Sequence, residues 1–280
     1  HFGRGLVFTS GDFGKQGEKP SHPELLDWLA SEFMDRGWSM KQMHKLIVTS
    51  AAYRQQSQVR PELLSRDPYN TLIARQSRLR LPAEHVRDSA LAVSGLLYPK
   101  IGGKSVRPPQ PAAVASIGYA NQVKWEESEG KDAYRRGLYI HFQRTTPYPQ
   151  LMNFDAPEAN ITECRRERSN TPLQALNLLN DPVFFEAAQA LALRILNEAP
   201  ADFPGRLNYA YQLCFARDPR PSEVEVMKTQ QARVRDLIQS REGLAESLFP
   251  LEHSGDRLDS ATWVGLARVI LNLDEFITRE

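Results

Sequence analysis

The sequence predicts a mainly α-helical fold, an irregular multi-helix domain with a proline-rich, arginine-rich central segment and at most a short β element. Three observations predict it. Helix-start signals, a Ser, Thr or Asp beside a proline, recur along both ends of the chain. Behind them, apolar residues return at three- and four-residue spacing. Between the ends, prolines cluster and the helical period is lost. The 280 residues are read as a single domain, helical over 1–97, irregular with a short strand over 98–170, and helical over 171–280.

The first twenty residues carry Gly3, Gly5, Gly11, Gly14 and Gly17, which reads as a loop. Ser21-His22-Pro23-Glu24 offers a capping box for a first helix, with Leu25, Leu26, Leu29 and Phe33 at helical spacing and Gly37 as its stop. Ser39 and Gln42 cap a second helix built on Met43, Leu46 and Ile47. Asp67-Pro68 is expected to start a third, and Pro82 a fourth ending near Gly95. Tyr98 to Pro111 is irregular. Leu138, Ile140 and Phe142 alternate with Tyr139, His141 and Gln143, which predicts one short strand.

Helices resume at Thr171-Pro172-Leu173-Gln174. Asn180-Asp181-Pro182 ends that helix and starts the next, with Phe184, Ala187, Ala188, Leu191 and Ile195 on its apolar face. Another runs from about Asp202 to before Arg217-Asp218-Pro219, and Ser222 with Glu225 is expected to cap its successor. The last helix places Trp263, Leu266, Ala267, Ile270 and Ile277 on one side.

Composition narrows the function. Hydrophobic residues make up 41% of the chain, enough for a substantial core. The 35 basic and 34 acidic residues leave a net charge of +1, which argues against a nucleic-acid partner held by a broadly basic surface. No apolar run approaches the length of a membrane span. The chain opens at His1 without methionine or signal peptide and is read as a fragment of a longer polypeptide. Cys164 and Cys214 are too few for a disulfide scaffold and are expected as two separate buried thiols, with a single bridge as the alternative. The segment has no C-x-x-C-H, so no haem attaches to it covalently.

Several short strings resemble catalytic motifs and fail on context. Asp12-Phe13-Gly14 lacks the other parts of a kinase site. Gly103-Lys104-Ser105 lacks the earlier glycine of a phosphate loop, where Tyr98 stands, and Pro108-Pro109 blocks the helix that must follow. G-x-S-x-G and H-E-x-x-H are missing, the six histidines are scattered, and no metal ligand set is assigned. Asn160-Ile161-Thr162 spells a glycosylation sequon that is common by chance.

One constellation stands out. Arg135, Arg136, Arg144, Arg165, Arg166 and Arg168 fall within 34 residues, around Asp155 and ending at Asn170 beside the Thr171 helix start. A guanidinium fork suits a carboxylate, sulfate or phosphate, and a helix N-terminus favours an anion. Arg135, Arg136, Arg144, Arg168 and Asn170 are the candidate ligand-binding residues, and Asp155 is the candidate catalytic acid/base. Pairing of these arginines with nearby acids is the structural alternative. Glu84, Arg87 and Asp88 form a second cluster on the Pro82 helix, where salt bridges compete with a paired-carboxylate role.

Longer strings carry a resemblance to a known family. They include His1-Phe2-Gly3-Arg4-Gly5-Leu6-Val7, Ser21-His22-Pro23-Glu24-Leu25-Leu26-Asp27-Trp28, Tyr134-Arg135-Arg136-Gly137-Leu138-Tyr139, Arg168-Ser169-Asn170-Thr171-Pro172-Leu173 and Ala267-Arg268-Val269-Ile270-Leu271-Asn272. The chain resembles the planctomycete surface domain family of unknown function, found C-terminal in exported planctomycete proteins with a cytochrome c domain. The resemblance implies an extracytoplasmic setting, periplasmic or at the cell surface. It implies upstream companion and cytochrome c-type domains of the same polypeptide as partners, with c-type haem in the upstream domain and no cofactor in this segment. It supplies no catalytic residue.

Three readings follow. The first is a binding or assembly module working through the arginine-rich anion site. The second is an enzyme acting on an anionic or polysaccharide substrate through Asp155. The third is a purely structural helical scaffold.

Overall fold

The computed structural model describes residues 1–112 and 125–279. Eleven α-helices and a two-stranded antiparallel sheet are formed among the described residues, so the chain is mainly α. It groups into two compact units. One comprises His1–Arg80, Thr162–Arg166 and Thr278–Glu280; the other comprises Leu81–Ile161 and Glu167–Ile277.

The first unit holds helices α1 (Pro23–Asp35), α2 (Met40–Thr49) and α3 (Pro61–Arg66). Strands β1 (Leu79–Arg80) and β2 (Thr278–Arg279) pair with Leu79 opposite Arg279. Proline at the first helical position starts α1, where a missing N–H costs nothing. The expected capping box does not form: His22 is the N-cap, and Ser21 Oγ bonds the His22 ring instead of a helix amide. Ser39 does cap α2, accepting from Gln42 N.

The helix expected at Asp67-Pro68 is a correction. α3 ends at Arg66, and both Asp67 carboxylate oxygens turn forward to accept Thr71 N and Leu72 N, each at 2.8 Å. An aspartate that satisfies two following amides stabilises a turn as readily as a helix start. No apolar residue of this unit is buried among the described residues, whereas the polar Asp67 and Gln76 are largely buried.

The second unit contains the hydrophobic core. It is built by α4 (Ala83–Val93), α5 (Pro149–Asn153), α6 (Pro172–Asn180), α7 (Pro182–Glu198), α8 (Phe203–Phe215), α9 (Pro221–Gln239), α10 (Leu244–Leu248) and α11 (Arg257–Leu271). The apolar face expected for α7 is buried throughout, from Phe184 to Ile195. It packs on α11, whose Trp263, Leu266, Ala267 and Ile270 are fully buried. Gly265 lets α9 approach α11: a Cβ there would lie 2.5 Å from Val234 Cγ1. Asp181, Asp202 and Asp256 cap α7, α8 and α11 by accepting from first-turn amides. Ile277, expected on the last helix, lies in a following 3-10 turn, Asp274–Ile277, and is still buried.

Two further readings are corrected here. α9 begins at Pro221, with Glu223 accepting from Arg220 N at 2.7 Å, so the cap lies two residues before the expected Ser222. The strand expected around Leu138 is absent. Gly130–Tyr134 and Gly137–Tyr139 are 3-10 turns, and only an isolated bridge joins Val106 to Ile140. Alternation there reports a chain threading between burial and solvent, with Leu138 exposed and Ile140 buried, without a partner strand to continue the ladder.

Candidate functional site

Of the arginine-rich middle, Arg135, Arg136, Arg144 and Arg168 lie in the second unit and Arg165 and Arg166 in the first, and the members have unequal fates. Arg135 is 2% exposed. Its guanidinium donates to the carbonyls of Lys100, Gly102 and Lys104 and stacks 3.8 Å over the Tyr139 ring. Tyr139 in turn accepts from Gly102 N. One cation thus folds the glycine loop at 102–103 around itself, where Gly102 and Gly103 take positive φ values of 77° and 90°.

Arg136 points to α4. Its Nε donates to Asp88 Oδ2 at 2.8 Å, and the other Asp88 oxygen accepts Gly137 N at 2.6 Å. The hydrogen bond to Asp88 holds the Arg136 guanidinium above its ordinary pKa. Gly137 is required by this docking, since a Cβ would sit 2.8 Å from Glu84 Cα. Arg87, one residue before Asp88, is almost wholly buried and donates to Ala133 O at 2.7 Å; burial pulls its pKa down. Tyr134 donates to Glu186 at 2.6 Å, and that bond pushes its pKa up to about 12. Residues 133–139 are therefore fastened to α4 and α7, and the Asp88 carboxylate is used in that fastening rather than as half of a carboxylate pair.

Asp155 adopts φ of 59° and binds Ser169 with both oxygens, taking Ser169 N at 2.7 Å and Ser169 Oγ at 2.8 Å. Gln174 on α6 also donates to Ser169, so the chain just before α6 is pinned. The Thr171 hydroxyl makes no cap bond, and Ser169 has taken over the role of tying the helix start. Arg168 and Asn170 flank Ser169 on both sides and are exposed. Arg144 is exposed as well and donates to Asn160 Oδ1 at 3.2 Å. The structure thus buries Arg135, ties the partly exposed Arg136 to Asp88, and leaves Arg144, Arg168 and Asn170 to solvent.

The first unit holds a cavity of about 250 Å³ that sequence reasoning did not find. Leu6, Leu25, Leu29, Ile47 and Ile73 supply apolar walls; Arg4, Thr71 and Ser77 supply polar ones. The signals were the glycine-rich opening, which reads as a loop, and the Asp67–Asn70 turn, which reads as a helix start; apolar residues on such segments lack a common period. Both thiols are free; Cys164 is exposed, contrary to the expected burial, while burial pushes the half-buried Cys214 up to about 12. Among the described residues no cluster of three or more His, Cys, Asp or Glu is placed to hold a metal, and no helix is long and apolar enough to cross a membrane.

A family model described as PSD1, protein of unknown function (DUF1553), matches residues 1–230. No curated protein and no solved structure matches the chain.

Proposed function

The chain belongs to the PSD1 family (DUF1553), and on that premise we propose that it is a binding or assembly module of an exported, cytochrome-linked polypeptide. Its contact surface is formed by Arg144, Arg168 and Asn170, and its ligand is a polyanion carrying carboxylate or sulfate groups. One observation carries the reading: of the arginines named from the sequence, Arg144 and Arg168 are exposed, while Arg135 is buried on three carbonyls and the partly exposed Arg136 is paired with Asp88. The two-oxygen grip of Asp155 on Ser169 holds both neighbours of Ser169 in place. The same grip weighs against Asp155 as a general acid/base, because both of its oxygens already accept hydrogen bonds. Asp155 is then a positioning residue, and its replacement by asparagine loosens the segment without altering a chemical step.

The extracytoplasmic setting and the link to upstream companion and c-type haem domains rest on the sequence resemblance. Fractionation of the full-length polypeptide tests both: it should leave the cytoplasm and show a c-type haem band that this segment alone lacks. For the surface itself, immobilised dextran sulfate and polygalacturonate should retain the chain, and uncharged dextran should not. Retention should fall steeply between low and physiological salt, as it does for exposed charges. Equal retention on all three matrices overturns the reading.

A further inference from the structure

The lining of the first unit's cavity includes none of the arginines discussed above, and its wall is built at a conformational cost. The segment from Asp67 to Ser77 forms one side. Asn70 and Ile73 both sit in the left-handed region, at φ of 52° and 53°. For Asn this is common; for a β-branched Ile it is a strained conformation that persists only where surrounding bonds enforce it. Those bonds are present. Asp67, 8% exposed, grips Thr71 N and Leu72 N. Asn70 Oδ1 accepts Ala74 N, while its amide donates to Arg75 O and Ser77 Oγ. Gln55 donates to Ile73 O at 2.7 Å, and the buried Gln76 donates to Tyr53 O. The wall is therefore set before any ligand arrives.

No aspartate or glutamate stands among the described lining residues of this cavity. Arg4 brings a fixed positive charge, and the Thr71 and Ser77 hydroxyls each have a hydrogen to donate. Asn70 has its side chain fully used in the wall. Arg4 meets Glu18 only loosely, at 3.6 Å with both side chains well exposed, a pair that a better-placed carboxylate can displace. Aliphatic side chains and the rings of Phe2, Tyr69 and His1 supply the remaining walls. A volume of about 250 Å³ is that of roughly eight waters, which limits the occupant to a small molecule. A rigid, small, apolar chamber with donors and a cation, and without an acid, selects for an apolar body ending in a negative group.

We propose that this cavity binds a small organic carboxylate, with the apolar body against Leu25, Leu29 and Ile47 and the carboxylate on the Arg4 guanidinium. Phenylacetate and its neutral counterpart phenylacetamide are the probes, titrated calorimetrically into the intact chain. Phenylacetate should bind saturably, and Arg4→Ala should weaken it by about tenfold, the loss of one charge-assisted contact. The same substitution should leave phenylacetamide binding unchanged. Arg4→Lys should recover part of the loss, because the charge returns without the fork. Ile47→Phe should remove both interactions by filling the chamber. Arg4 is well exposed, so its replacement leaves the fold intact, and the arginine arm stands even if Ile47→Phe disturbs α2. Absence of saturable binding by either probe overturns the proposal. So does an Arg4→Ala chain that binds phenylacetate as well as the parent.

Discussion

Replacing Arg135 with alanine tests whether the arginine-rich segment is divided between structure and surface. The side chain is 2% exposed, gives hydrogen bonds to three carbonyls and stacks on Tyr139. Hydrogen bonds from a charged donor contribute about 1.5–3 kcal/mol each when buried. The accepting residues, Lys100, Gly102 and Lys104, are themselves exposed, so water restores much of what their carbonyls lose. The stacking on Tyr139 adds about 1 kcal/mol, and the lost aliphatic stem leaves an unfilled space. The contributions overlap, and the net loss expected is about 3–4 kcal/mol. Arg135→Lys should recover less than half of it, because one ammonium cannot replace a planar fork and a stacked face. Urea unfolding read by tryptophan fluorescence measures both, with the slope of the transition unchanged. A loss below about 1 kcal/mol for Arg135→Ala would refute the reasoning. It would return Arg135 to the surface residues available for a ligand.

Trp263→Ala should cost about 3–5 kcal/mol, since the indole is fully buried among α7, α8 and α11; equilibrium unfolding measures it. Arg217 forks onto both Glu223 and Glu275 at 2.6–2.8 Å, and the bond from Arg217 holds the Glu223 carboxyl below its ordinary value of 4.5. A depressed folded pKa means that this stabilisation is present above pH 4.5 and is lost as pH falls through the folded value. Arg217→Ala should therefore lower stability at pH 7 and flatten its decline below pH 4.5, a pair of changes that thermal unfolding at pH 7 and pH 3 resolves. In the native chain at pH 8, iodoacetamide should label the exposed Cys164 and spare Cys214, whose thiol burial holds near pH 12; equal labelling of the two contradicts the described burial.

The helices were legible where a local signal and a tertiary need agreed. Asp181-Pro182 and Asp202 mark helix starts that the structure keeps, because the aspartate oxygen and the proline ring act within one turn. The same vocabulary misled at Asp67-Pro68, where the aspartate serves a turn; beside Ser21 and Thr171 the helices do start, but neither hydroxyl makes a cap bond. Propensity alone does not decide between a turn and a helix start; the bonds available from the following loop do. The alternation at Leu138–Phe142 failed as a strand signal for a related reason, since a strand needs a neighbour and this stretch meets Val106 at one bridge only.

The candidate site was legible in residue type and not in direction. Six arginines in one segment announced an anion or a web of internal bonds, and spacing cannot say which way each points. Arg135 turns inward to the carbonyls of the glycine loop, and Arg136, still partly exposed, is drawn to Asp88 on α4; both partners are distant in sequence. Asp155 reads as a candidate acid/base from its setting, and spacing does not foretell that both of its oxygens accept bonds from Ser169. The cavity was invisible because Leu6, Ile47 and Ile73 come from a loop, a helix and a strained turn with no common period.

The division of the arginines meets its most direct test in polyanion binding by the Arg144→Ala/Arg168→Ala chain. Calorimetric titration with polygalacturonate at low salt compares it with the parent and with Arg136→Ala. The double replacement should weaken binding by roughly ten- to a hundredfold, with its far-ultraviolet dichroism unchanged. Arg136→Ala should bind as the parent does, with stability reduced through the loss of its bond to Asp88. Equal binding by the double variant and the parent, or a loss confined to Arg136→Ala, would contradict the account.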